Sequence, residues 1–125
     1  MDALPKVGRF LFAIPMAIFG VFHFMNGQMM VGMVPIPGGI AWVYLTGLAL
    51  IAAAVAILMG KQAVLATRLL ALFLILTALT VHLRMVMAGN QDAMPNVLKD
   101  IALAGGALIL SGVFAGEESR SPADG

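Results

Sequence analysis

The ionisable side chains of this chain sit at or near the ends of four long apolar runs, an arrangement that suits a lipid bilayer and not a water-soluble fold. The runs cover about 8–25, 40–59, 63–87 and 96–115. Each comes close to the ~20 residues that an α-helix needs to cross a hydrocarbon core. Of the 125 residues, 62% are hydrophobic and 10% charged, and a domain this small cannot enclose so much apolar surface away from water. The expected fold is therefore all-α, an integral membrane bundle of four transmembrane helices forming a single domain over 1–125. The polar stretch 116–125 is expected to be a disordered tail.

The distribution of charge sets the expected orientation. Lys6 and Arg9 open the first run, Lys61 and Arg68 flank the turn between the second and third, and Arg120 lies in the tail. Only Arg84 and Lys99 stand at the opposite ends. The positive-inside rule then puts both termini and the 60–62 turn in the cytoplasm, and the loops at about 26–39 and 88–95 outside. A formal net charge of +1 gives no reason to expect a nucleic-acid partner. The absence of cysteine rules out disulfides, a thiol redox centre within the chain and Cys-ligated metal clusters. The first run imitates a secretory signal, but 19–24 offers no small-x-small cleavage site, so it is read as a retained helix.

Local signals fill in the helices. Pro15 removes a backbone donor and predicts a kink in the first helix. Phe12, Met16, Phe19, Gly20 and His23 share one face of it, which points His23 into the bundle. The loop at 26–39 is half apolar and is expected to lie along the interface, with Pro35 and Pro37 ending any helix there. Trp42 and Tyr44 belong at headgroup depth. Gly60 and the two residues after it make a turn so short that the second and third helices must be antiparallel neighbours. Pro95 suits the first turn of the fourth helix, and Ala102, Gly105, Gly106 and Ala107, with Gly112 and Gly116, suggest a close-packing small-residue face. A weak internal echo aligns GLALIAAAVAIL in the second helix with DIALAGGALIL in the fourth, as two parallel repeats would.

The polar residues at the outer ends form the candidate ligand-binding set: His23, Asn26, His82, Asn96, Lys99 and Asp100, with Arg84 beside them. Asn96, Lys99 and Asp100 are spaced i, i+3, i+4 and share a helix face. Ionised groups within membrane helices face the bundle and pair with one another. His82, about a turn inside an otherwise apolar helix, needs a partner that only this outer set offers, and a pocket closed by His82 and Asp100, with Lys99 or Arg84 reaching outward, is the concrete form. Regular helical spacing points His82 and Arg84 in nearly opposite directions, so the two do not share one cavity. Two readings stay open. The set holds a ligand or a proton, or else Lys99 and Arg84 snorkel to headgroups while Asp100 neutralises one of them.

Cofactor chemistry is thinly signalled. Bis-histidine haem needs the two imidazoles to face each other across a porphyrin-wide gap, and nothing else marks a haem pocket. Seven of the ten methionines fall in 25–33 and 85–94, near both histidines, and thioethers with imidazole suit Cu(I). Methionine is equally an adaptable apolar filler, so copper is the lesser reading and no metal site is assigned. No phosphate loop, nucleophile triad or carboxylate dyad is present, so a stand-alone enzyme is not the expectation.

Taken with the segments GRFLFAIPMAIFGVFHFMNG, MVPIPGGIAWVYLTGLAL, TVHLRMVM and NVLKDIALAGGALIL, the chain resembles the DoxX family of small bacterial four-helix membrane proteins from about Gly8 to Phe114. The resemblance implies a multi-pass protein of the bacterial cytoplasmic (inner) membrane. It also implies an accessory subunit of a membrane redox or respiratory assembly, with a quinone or lipid pocket near the outer face and other membrane or redox subunits as partners. A homo-oligomer remains open, and the competing reading is a non-enzymatic structural or stress-related membrane protein. The family supplies no established catalytic residues to carry over.

Overall fold

The computed structural model describes residues 3–33 and 38–120, and helix dominates them, with no strand among the described residues. Four helices are long and apolar enough to cross a membrane. They are α1 (Leu4–Met25), α2 (Gly39–Met59), α3 (Ala63–Met87) and α4 (Met94–Arg120). Large apolar side chains line the outside: Leu11, Leu48, Leu65, Leu72 and Ile109 are all at least half exposed. In water such a surface would aggregate, whereas hydrocarbon solvates it.

Each helix begins and ends for local reasons. Pro5 stands in the first turn of α1, which therefore starts at Leu4, ahead of the expected residue 8. Pro15 lies inside this helix without ending it. At Asn26 the chain leaves α1 and forms a single helical turn, Gly27–Met30, then a 3-10 turn, Val31–Met33. That turn packs on the start of α2, where Tyr44 stacks on Phe24 with ring centroids 5.5 Å apart. The loop prolines Pro35 and Pro37 lie outside the described residues. Gly60, at φ +69°, closes α2 with its N–H on the Ala56 and Ile57 carbonyls, and the chain turns directly into α3. Gly89, at φ +104°, comes after α3, and a 3-10 turn at Gln91–Ala93 leads into α4 two residues before the expected start.

The helices pair as two hairpins, α1 with α2 and α3 with α4, joined through α2 and α3. The hairpins meet in one apolar core that includes Met16, Leu50, Ile57, Leu70, Leu74 and Phe114. The buried stripe of α4 runs Val97, Asp100, Ala104, Ala107, Ser111, Phe114, a strict alternation of three and four residues that suits left-handed packing of neighbouring helices.

Two expectations are corrected here. Of the small-residue face assigned to α4, Ala102, Gly105 and Gly112 are exposed, and a Cβ on either glycine would meet nothing within 4 Å. The phase of α4 is set by its heptad stripe, which turns those residues outward. The close backbone crossing lies instead between α1 and α2. A Cβ on Gly20 would stand 2.7 Å from the Gly47 carbonyl oxygen, and one on Gly47 would stand 2.8 Å from that of Gly20. The tail is the second correction, because α4 continues to Arg120 and residues 116–120 are helical. Phe114 remains buried against the core and Glu117 is ion-paired with Arg9 of α1, which carries the helix past the end of its apolar run. Residues 121–125 of the expected tail lie outside the described residues.

Candidate functional site at the loop end

Among the described residues, three polar side chains are buried in the bundle, and two of them are satisfied within their own helices. Thr67 Oγ1 donates to the Ala63 carbonyl at 2.7 Å, and Ser111 Oγ to that of Leu108 at 2.7 Å. The third is Asp100, 4% exposed, which reaches across to another helix. Its Oδ2 lies 3.3 Å from His82 Nε2 on α3, and its Oδ1 lies 3.7 Å from Lys99 Nζ. A carboxylate buried alone would be penalised by several kcal/mol, so a donor group beside each oxygen, the His82 ring on one and the Lys99 ammonium on the other, makes its position tenable. Lys99 is itself held from a third direction, its Nζ standing 4.9 Å from the centroid of the Phe19 ring of α1.

The placement of His82 depends on a break in the regularity of α3. The buried stripe of that helix runs Ala63, Thr67, Leu70, Ala71, Leu74, Ala78, and a regular helix would next present Val81 to the core. Over Ala78–His82 the backbone instead forms one wide π turn, with the Leu83 N–H bonded to the Ala78 carbonyl. The additional residue in that turn shifts the phase of the rest of the helix by about 100° and brings His82 to the inward position. Arg84 remains exposed and outside the cluster. His82 Nδ1 is buried with no hydrogen-bond partner, so one ring nitrogen is held by a carboxylate while the other is unsatisfied.

The other candidate residues are placed differently. His23 is half-buried on α1 with Nδ1 2.7 Å from the Phe19 carbonyl oxygen; that oxygen can only accept, so Nδ1 carries the proton. Across from it stands Gly47, whose absent Cβ would lie 3.0 Å from that of His23. The internal echo aligns Gly47 with Asp100, so each hairpin sets its histidine against the same aligned position, glycine in one and aspartate in the other. Asn26 turns back on its own helix, Nδ2 donating to the Phe22 carbonyl at 3.2 Å, and acts as the cap of α1. Asn96 stands half-buried one turn before Asp100. The structure thus brings His82, Lys99 and Asp100 together and adds Phe19, while His23 and Asn26 are engaged with their own helix.

No cluster of three or more His, Cys, Asp or Glu residues suited to a metal ion occurs among the described residues. Of the methionines at this end, Met25, Met29, Met87 and Met94 are exposed. The π turn and the Phe19 contact lie beyond sequence reading at this level, since neither alters the hydrophobic period by more than one residue.

A family model described as a domain of unknown function (DUF8561) matches residues 12–114. No curated protein and no solved structure matches the chain.

Proposed function

The chain belongs to the DUF8561 family, and from that premise we propose that it is an accessory subunit of a membrane redox assembly whose loop-end pair, His82 and Asp100, contacts a quinol headgroup. In this reading the protein is a multi-pass component of a bacterial cytoplasmic membrane, and its charge distribution supports an orientation with both termini inside. The carrying observation is the state of His82: Nε2 faces a buried carboxylate and Nδ1 is enclosed without a partner. With its Nε2 proton directed at Asp100, a neutral His82 offers a lone pair at Nδ1, suited to accept the proton of a quinol hydroxyl. Oxidation of the quinol releases two protons and two electrons. His82 takes one proton, the second leaves to water at the loop end, and the two electrons pass to a redox centre on a partner subunit. The likeness to DoxX proteins supports the same reading, and helix walls of leucine and alanine suit an isoprenoid tail.

A second reading is favoured by Lys99. Its contacts with Asp100 and with Phe19 tie α4 to α1, as a purely structural brace would. Quinone extracted from the protein purified out of native membranes separates the two. The proposal expects stoichiometric quinone in the wild type and a loss of roughly tenfold in His82→Gln. Quinone that is absent from the wild type, or equally abundant in a folded His82→Gln variant, leaves only the brace.

A further inference from the structure

The opposite end of the bundle, where α1 begins and α4 finishes, holds an arrangement that the proposed quinol site does not use. Between these two helices lies an open cleft of about 190 Å³, lined by Gly8, Arg9, Phe12, Gly106, Ile109 and Val113. Glycine keeps it open. A Cβ at Gly8 would meet nothing within 4 Å, and one at Gly106 would come no nearer than 3.4 Å to the Phe12 ring. Ile109, 73% exposed, marks the side that faces outward, which in a bilayer is lipid.

Arg9 forms the charged edge of this cleft. Its guanidinium lies 4.4 Å from the centroid of the Phe114 ring, and one terminal nitrogen is ion-paired with Glu117. Nε is buried and has no hydrogen-bond partner, so the group retains an unmet donor beside an apolar slot. Lys6, Lys61, Arg68 and Arg120 lie towards the same end, so five cations face two carboxylates, Glu117 and Glu118, among the described residues. The slot is small, about 190 Å³, and its walls are apolar apart from Arg9, which suits a segment of a hydrocarbon chain.

We propose that this cleft binds an anionic phospholipid of the leaflet at the termini end. One acyl chain lies in the slot between Gly8 and Gly106, and the phosphate or ester oxygens meet the Arg9 guanidinium. Charge complementarity selects the headgroup. A zwitterionic lipid offers the same chain, but it brings a cation of its own to a rim that is already positive.

Native mass spectrometry of the full chain in mild detergent tests this, with phosphatidylglycerol or phosphatidylcholine of matched acyl chains added. The wild type is expected to retain phosphatidylglycerol over phosphatidylcholine by roughly tenfold. Gly8→Leu adds a side chain at the lining of the slot, where a Cβ meets nothing within 4 Å, and it is expected to lower retention of both lipids with little change in melting temperature. Arg9→Gln is expected to remove the preference between the headgroups. The inference is overturned if the wild type does not discriminate between the two lipids, or if Gly8→Leu retains them as well as the wild type does. A lipid-free dimer that Gly8→Leu dissociates overturns it as well, by assigning the cleft to a second copy. Should Arg9→Gln prove unstable, the Gly8→Leu result decides alone.

Discussion

At the scale of single residues, Asp100 is the most demanding group in the chain. Its burial is tolerable because His82 and Lys99 stand against its two oxygens, and each partner is held by something else, the π turn for one and Phe19 for the other. Removing the carboxylate should therefore cost more than removing the nearby surface charge. Asp100→Asn is expected to destabilise the protein by about 2–3 kcal/mol, the range for a hydrogen-bonded charged group, while Arg84→Gln, on an exposed side chain, is expected to change little. Thermal unfolding in detergent reads both. Equal melting temperatures for the two variants would mean that the buried carboxylate contributes nothing to holding α3 and α4 together. That His82 and Asp100 would close the same site was legible in the sequence, because an imidazole and a carboxylate inside apolar helices have few other partners. The role of Asn26 was not. A polar side chain just past an apolar run reads equally well as a ligand or as a cap, and only the 3.2 Å contact with the Phe22 carbonyl decides for the cap.

At the scale of elements, the two hairpins are closed by different means. α1 and α2 approach until backbone meets backbone at Gly20 and Gly47, whereas α3 and α4 are spaced by Ala, Ser and Thr and joined by the contact of His82 with Asp100. Gly20→Ala would drive a methyl into a carbonyl oxygen and is expected to cost about 1–3 kcal/mol by overpacking. Gly105→Ala or Gly112→Ala meets nothing and should be neutral or should stabilise by up to about 1 kcal/mol through helix propensity. A thermal-shift series over these three substitutions checks the assignment, and the reverse ranking would restore the tight crossing to α4. The sequence misleads here for a physical reason. A small residue marks either a close crossing or a harmless exposed position, and the choice depends on helix phase, which Asp100 and the alanines around it fix. The π turn makes a second prediction. Deleting Leu79, exposed within that turn, returns α3 to regular α-helix with both flanks in phase, whereas deleting Leu72 rotates one flank by about 100°. The Leu79 deletion should accumulate in membranes near the wild-type level and the Leu72 deletion should not, as a blot against a terminal tag would report.

At the scale of the whole molecule, the number of the helices and the adjacency of α2 and α3 were readable from the sequence, since four apolar runs, two of them joined by one very short turn, admit few alternatives. The ends of those runs were less readable. Arg9 and Glu117 are separated by nearly the whole chain and make one contact, and nothing local to either announces it. That contact places the start of α1 beside the finish of α4, which fixes both termini at one end of the bundle and both long loops at the other. Which end faces the cytoplasm then becomes a single binary question for the entire molecule, and the cations of the termini end predict that this end is the cytoplasmic one. The lack of any cysteine makes the question directly testable, because a single introduced thiol is the only reactive one present. Lys61→Cys lies in the turn between α2 and α3, and Gln91→Cys in the turn before α4. In intact spheroplasts a membrane-impermeant maleimide should label Gln91→Cys and spare Lys61→Cys until the cells are lysed. Labelling in the opposite order would invert the bundle. It would also move the lipid cleft to the outer leaflet and leave the positive-inside rule disobeyed by five of the seven basic residues in the chain.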